Sequence, residues 1–173
     1  MALIVETGDQ IANANSYVSL AEARSIAQSY GFSLSGNDTD DEGFLGQGLL
    51  YLEGYRNRYK GQKVSADQAL QWPRRGATLD GYDFDDDMIP VMLKQAQSVL
   101  GAKVAEGIEL FPDATAEEVT GAIRERRVGW FSRSYHEGAS VSDADNVTPL
   151  LSLVDLLIAP ILRPPYEVDI QRV

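Results

Sequence analysis

Apolar positions recur at helical spacing in four stretches of the chain. In SLAEARSIAQSYG, Leu20, Ala23, Ile26, Ala27 and Tyr30 fall on one face of a 3.6-residue period. Ser19 and Glu22 have the spacing of a capping box, and Gly31 offers a stop. The polar loop SLSGNDTDD follows. Thr39 and Glu42 then repeat the capping-box spacing, and Phe44, Leu45, Leu49, Leu52, Tyr55 and Tyr59 continue an apolar stripe. A second helix is therefore expected over about 39–59. Gly43, Gly46, Gly48 and Gly54 lie inside it, each costing up to about 1 kcal/mol where exposed; a closely approaching neighbour would offset that loss. Ser65 with Gln68 predicts a brief helix that Pro73 must end. Pro90 starts a longer one, PVMLKQAQSVLGAKVAEG, with Met92, Leu93, Ala96, Val99, Leu100 and Val104 inward. Thr148 and Pro149 begin the last, PLLSLVDLLIAPIL, apolar on most of its circumference and so expected to be buried.

The period changes near residues 119–135. The run AIRERRVGWFSRSY alternates and is rich in aromatic residues, with Val128-Gly129 as a turn. It predicts a β-hairpin or extended arm, with a short helical turn after Thr115 as the competing reading. GATLDGYDFDDDMIP reads as a turn-rich acidic loop, and RPPYEVDIQRV as an extended tail held by Pro164 and Pro165. The expected fold is mainly α: a small bundle of about four helices over residues 1–162, with a β-hairpin arm and an extended C-terminal tail over 163–173.

Composition narrows the chemistry. A chain of 173 residues, 44% apolar, is one domain by length with enough apolar surface for a core. It has no cysteine and one histidine, His136, which removes thiolate chemistry and multi-histidine metal sites. No nucleophile elbow, Walker loop or dinucleotide fingerprint occurs. The cluster Asp80, Asp83, Asp85, Asp86 and Asp87 breaks the register of a calcium loop at Phe84 and Asp86, and reads as a solvated loop. No enzymatic activity, cofactor or metal is expected. MALIVETGDQ lacks the basic start of a signal peptide, and no apolar stretch approaches the ~20 residues of a membrane span, so a soluble cytosolic chain is expected.

Charge adds a different kind of information. The net value is −11, which argues against a surface that binds nucleic acid everywhere. It is banded, however. Residues 1–54 carry −7, 55–76 carry +5, 77–121 carry −8, 122–135 carry +3 and 136–173 carry −4. Within QALQWPRRG, Trp72 is large enough to fill a gap between helices, and Pro73 stops the chain beside it. Arg74 and Arg75 would then be presented at a fixed place, to pair with the acidic loop or another chain. In the second basic band, Arg124, Arg126, Arg127 and Arg133 interleave with Trp130, Phe131 and Tyr135. Such a hairpin suits a subunit interface, where Trp, Tyr and Arg are enriched. It also suits single-stranded nucleic acid, whose bases stack on aromatic rings. In the tail, Tyr166, Val168 and Ile170 are candidates for adding as a strand to a partner.

The segments ANANSYVSLAEA, LLYLEGYRNRYKGQK, QALQWPRRGA, IPVMLKQAQ and VDLLIAPIL occur in one order over about residues 11–162. In that order the chain resembles the head-to-tail connector (adaptor) proteins of tailed bacteriophages, a group often labelled DnaT-like single-stranded-DNA-binding proteins. The resemblance implies a structural virion protein of the neck, made in the host cytoplasm. It implies a homo-oligomeric ring, commonly of about twelve copies, beneath the portal protein and above the next neck or tail protein. Duplex DNA would pass through its channel without specific binding, and no membrane is involved. Trp72, Arg74, Arg75, the hairpin residues and the tail residues would form its subunit and portal contacts. The alternative, drawn from the group's label, is a single-stranded-DNA-binding replication accessory protein that uses the Arg/aromatic hairpin.

Overall fold

Helix α1 (Leu20–Ser29) begins where Ser19 Oγ accepts the Glu22 N–H at 3.3 Å, the forward half of the expected capping box. It buries Ala23 and Ala27 and leaves Leu20, Ile26 and Tyr30 half-covered. The computed structural model describes residues 2–111, 126–128, 131–133 and 148–163.

Helix α2 (Asp38–Glu53) differs from the expectation at both ends. Its cap is Asn37, whose Oδ1 accepts the Thr39 N–H at 3.0 Å, so the Thr39/Glu42 spacing does not start it. It closes at Gly54, and successive turns carry the chain on: the N–H groups of Tyr55, Arg56 and Arg58 donate to carbonyls three residues back. Tyr55 and Tyr59 are still fully buried. The apolar stripe therefore outlasts the helix, which is why periodicity extended it to 59.

Helix α3 (Val91–Ala105) runs from Pro90, its N-cap, and buries Leu93, Ala96, Val99 and Leu100, with Met92 and Val104 packed at the margin. It crosses α2 at glycine. A Cβ on Gly48 would sit 3.0 Å from Leu100 Cβ and 3.1 Å from the Gln97 carbonyl oxygen. The anticipated close neighbour of the glycine-rich helix is thus α3 of the same chain. Gly43 and Gly46 face open space and gain no such offset.

Gln97 lies fully buried at this crossing. Its Oε1 accepts the Tyr17 N–H at 2.9 Å, and its Nε2 donates to Ser16 Oγ at 3.0 Å and the Leu45 carbonyl at 3.1 Å. One side chain so ties the N-terminal segment and α2 to α3, with both N–H donors and the carbonyl oxygen engaged. A second polar anchor holds the α1–α2 loop. Buried Asp41 takes two bonds from Arg24 and others from Ser35 and Gly36.

Three short antiparallel pairs complete the described fold. Strands β1 (Gln62–Lys63) and β2 (Arg74–Arg75) pair, as do β3 (Thr78–Leu79) and β4 (Tyr82–Asp83). The acidic loop thus contains a hairpin, turning through Asp80-Gly81 with both φ values positive. Strands β5 (Arg126–Val128) and β6 (Phe131–Arg133) form a hairpin inside the expected 119–135 arm. The helical turn considered after Thr115 lies outside the described residues. No helix forms at Ser65. Gln68 Oε1 does accept the Ser65 N–H, but its Nε2 donates to the carbonyls of Leu70 and Pro73, stapling an irregular loop instead.

Helix α4 (Thr148–Ile158) starts as expected and gives way to a 3-10 turn at Ala159–Ile161, where Pro160 cannot continue the α-helical bonding. Val154 and Ile158 are buried, but Leu156 is 71% exposed, so this helix is less enclosed than its composition suggests. Among the described residues the fold is mainly helical, four α-helices with short antiparallel strand pairs.

Candidate nucleic-acid interface

The first basic band becomes a surface through its backbone carbonyls. After α2 the chain turns at 54–58, and Tyr59 bridges antiparallel to Leu162. Lys60 N–H donates to Ile161 O at 3.0 Å, and Arg163 N–H to Arg58 O at 2.6 Å. The segment following α4 is thereby seated on the 58–60 turn. Gly61 lies against β2, where an added Cβ would collide with the Arg75 carbonyl oxygen. That close approach lets Arg74 reach inward.

Arg74 is 6% exposed. Its Nε donates to Lys60 O and its Nη2 to Gly61 O, each at 2.8 Å, with Nη1 near Gln71. The guanidinium also lies 5.8 Å from the Tyr59 ring centroid. No carboxylate pairs with it among the described residues. Burial, and then the neighbouring Arg163, push its pKa below the ordinary arginine value. Arg163 Nη2 shares the Gly61 carbonyl at 3.5 Å.

Around this buried cation stand others with access to solvent. Arg56 and Arg75 are exposed; Arg58, Lys60, Lys63 and Arg163 are half-buried. Lys60 Nζ is fixed by Pro160 O at 2.9 Å and Thr78 O at 3.3 Å, and Lys63 Nζ by Gln68 O at 2.8 Å. Arg75 pairs with Asp86 at 3.0 Å, the contact expected between it and the acidic loop. That pair is two-thirds exposed on the arginine side, so a competing anion can displace it at little cost. Segments 58–63, 74–75 and 163 thus meet around the Lys60 and Gly61 carbonyls as a basic belt, with exposed Arg56 on the adjoining turn.

Beneath the belt is a buried aromatic and polar cluster. Trp72, fully buried, meets Tyr59 and Phe84 edge-on at centroid distances of 6.0 and 5.9 Å. The Trp72–Pro73 peptide is cis. Trp72 N–H donates to Tyr17 Oη, whose hydroxyl donates to Glu53 Oε1 at 2.6 Å; Gln71 N–H also reaches Glu53. Burial raises the Glu53 pKa from its ordinary value, against the lowering effect of those donors.

Two expected interface residues are therefore corrected. Trp72 and Arg74 are parts of the core and cannot touch a partner, because rings and carbonyls of the same chain already surround them. Arg75 is exposed and paired with Asp86. Arg126, Arg127 and Phe131 lie on the β5–β6 hairpin, while Arg124, Trp130, Tyr135, Tyr166, Val168 and Ile170 lie outside the described residues. Sequence reasoning did not see Arg163 joining the belt, or Glu53 and Gln97 as buried polar centres. Gln97 carried a signal, a polar residue one turn from Leu93 on the inward face of α3. Among the described residues, no group of acidic or histidine side chains could hold a metal, and no helix is long and apolar enough to cross a membrane.

A family model described as "Putative DnaT-like ssDNA binding protein" matches residues 1–173. The chain belongs to this DnaT-like family. No curated protein and no solved structure matches it. This assignment overturns the main functional expectation from sequence. The full-length match names a DnaT-like single-stranded-DNA-binding family and brings no link to a connector, a portal or a virion neck, so that reading is withdrawn. The resemblance lay in the family itself, and the structural role was attached to the wrong half of its labelling.

Proposed function

We propose that this DnaT-like protein binds single-stranded DNA through the belt formed by Arg56, Arg58, Lys60, Lys63, Arg75 and Arg163. The observation that carries the reading is that Arg74 and Arg163 both donate to the Gly61 carbonyl, which sets β2 and the segment after α4 beside the basic 58–63 stretch in a chain of net charge −11. Phosphates bind such a surface by displacing condensed counterions, and a cationic track following the backbone is one half of single-strand recognition. The family's description supports the single strand as ligand. The acidic remainder repels DNA and confines it to the belt. No chemistry on the DNA is assigned: the belt holds phosphates and offers no nucleophile or general base.

Arg56→Ala/Arg75→Ala tests the reading. Both side chains are exposed, and the one ion pair lost is a surface pair worth at most about 1 kcal/mol. Fluorescence anisotropy of a labelled oligonucleotide at low salt should show binding at least about tenfold weaker, with an unchanged circular dichroism spectrum. Equal affinity in variant and wild type would remove the belt from the interface.

A further inference from the structure

Single-strand recognition has a second half, an aromatic face on which an unstacked base can lie. The belt itself offers none, because Tyr55, Tyr59 and Trp72 beneath it are buried. Among the described residues, the exposed aromatic side chains are Tyr82 at 79% and Phe111 at 47%. Phe111 packs against Tyr51. Tyr82 follows the Asp80-Gly81 turn of the β3–β4 hairpin and presents its ring to solvent.

That hairpin is seated against the belt. Lys60 Nζ donates to the Thr78 carbonyl of β3 at 3.3 Å, and Arg75 pairs with Asp86 just beyond β4. Phe84, between them, meets buried Trp72 edge-on. The register sets Tyr82 opposite Leu79, the residue after Thr78. Its backbone therefore stands roughly 6 Å from that of Thr78, one strand spacing across and one residue along. A ring so placed is within a nucleotide's reach of the Lys60 ammonium.

Beside Tyr82 lies an open hollow of about 250 Å³, with Leu79, Phe84 and Met88 as apolar walls. Asp83 and Asp85 line it too, and between Ala77 and Pro90 the sequence has five aspartates and no lysine or arginine. Such a field repels a phosphate, while the ring and the apolar walls accept an uncharged base. Charge thus sorts the two parts of a nucleotide, the phosphate to the belt and the base to the hollow.

We infer that this hollow is a base-binding subsite, in which the Tyr82 ring stacks on one unpaired base of the bound strand. The inference rests on the belt reading for where the strand lies, and adds the source of its selectivity. The bases of a duplex are already stacked on each other and cannot enter.

Fluorescence anisotropy on the full chain tests it with three labelled probes of equal length: a single strand, an abasic strand and a duplex. Wild type should bind the single strand at least about fivefold more tightly than the abasic strand, which offers the same phosphates and no bases. Tyr82→Ala should abolish that difference without changing the circular dichroism spectrum or the affinity for the abasic strand and the duplex. Tyr82→Phe, which keeps the ring, should preserve it. Equal binding of the single and abasic strands by wild type would overturn the inference, as would Tyr82→Ala weakening all three probes alike. The belt is judged by a separate variant: Arg56→Ala/Arg75→Ala should weaken all three probes. Weakening there, with no effect of Tyr82→Ala, would keep the belt and remove the subsite. No weakening there, with the base dependence still lost in Tyr82→Ala, would keep the subsite and remove the belt. Failure of wild type to bind any probe would overturn both.

Discussion

Trp72 and Glu53 show what single residues do beneath the belt. Trp72 has no exposed surface and packs edge-on against two rings, so Trp72→Ala leaves a large cavity under Arg74 and Tyr59. Urea denaturation should show a loss of about 3–5 kcal/mol, and a loss below about 1 kcal/mol would mean the cluster closes over the gap. Glu53 gives a pH dependence of defined sign. Its raised pKa means the folded state favours the protonated form. That contribution to stability is fully present below the unfolded pKa and is lost as pH rises through the folded value. Glu53→Gln cannot ionise, so the stability of wild type relative to this variant should fall between acid and neutral pH. Asp41 works in the opposite sense: burial raises its pKa, but the Ser35, Arg24 and Gly36 bonds outweigh it and hold the pKa low. It is common to both proteins and cancels in the difference. A difference independent of pH would show Glu53 to be solvated.

Among elements, the α2–α3 crossing decides the architecture, and its tolerance is measurable. Gly48→Ala places a methyl 3.0 Å from Leu100 Cβ and 3.1 Å from a backbone carbonyl, which cannot both yield. Thermal or urea unfolding should register a loss of about 1–3 kcal/mol, although alanine is the better helix former. Gly46→Ala, facing open space, should stabilise the helix by up to about 1 kcal/mol. Opposite signs at two glycines of one helix would confirm the crossing; equal signs would contradict it. Much at this scale was legible in the sequence. Capping at Ser19 and the inward face of α3 follow from local chemistry, and the glycines of α2 announced a close neighbour. The end of α2 was not legible, because Tyr55 and Tyr59 stay buried on a turn that continues the apolar stripe. The absent helix at Ser65 has a similar cause, since Gln68 makes one capping bond there and spends its amide on a loop.

For the whole molecule, charge is the organising quantity. Its banding could be read from the sequence, including the +5 over residues 55–76. What that band would do could not. Arg74 turns inward only because Lys60 and Gly61 present their carbonyls, and Arg163 arrives only because Leu162 bridges to Tyr59. Both are long-range events with no local signature. The resemblance reached the DnaT-like label but not the connector role, and the match over residues 1–173 moves the functional reading from a structural neck part to DNA binding. The central claim is that a confined belt holds the phosphates of a single strand, and the salt dependence of oligonucleotide binding tests it most directly. Each phosphate neutralised on a single strand contributes about −0.7 to the slope of log K against log salt, so the accessible cations of the belt predict a slope of roughly −2 to −4. Arg56→Ala/Arg75→Ala should flatten it by about 1.4. A slope near zero, or one that the double variant leaves unchanged, would contradict the account.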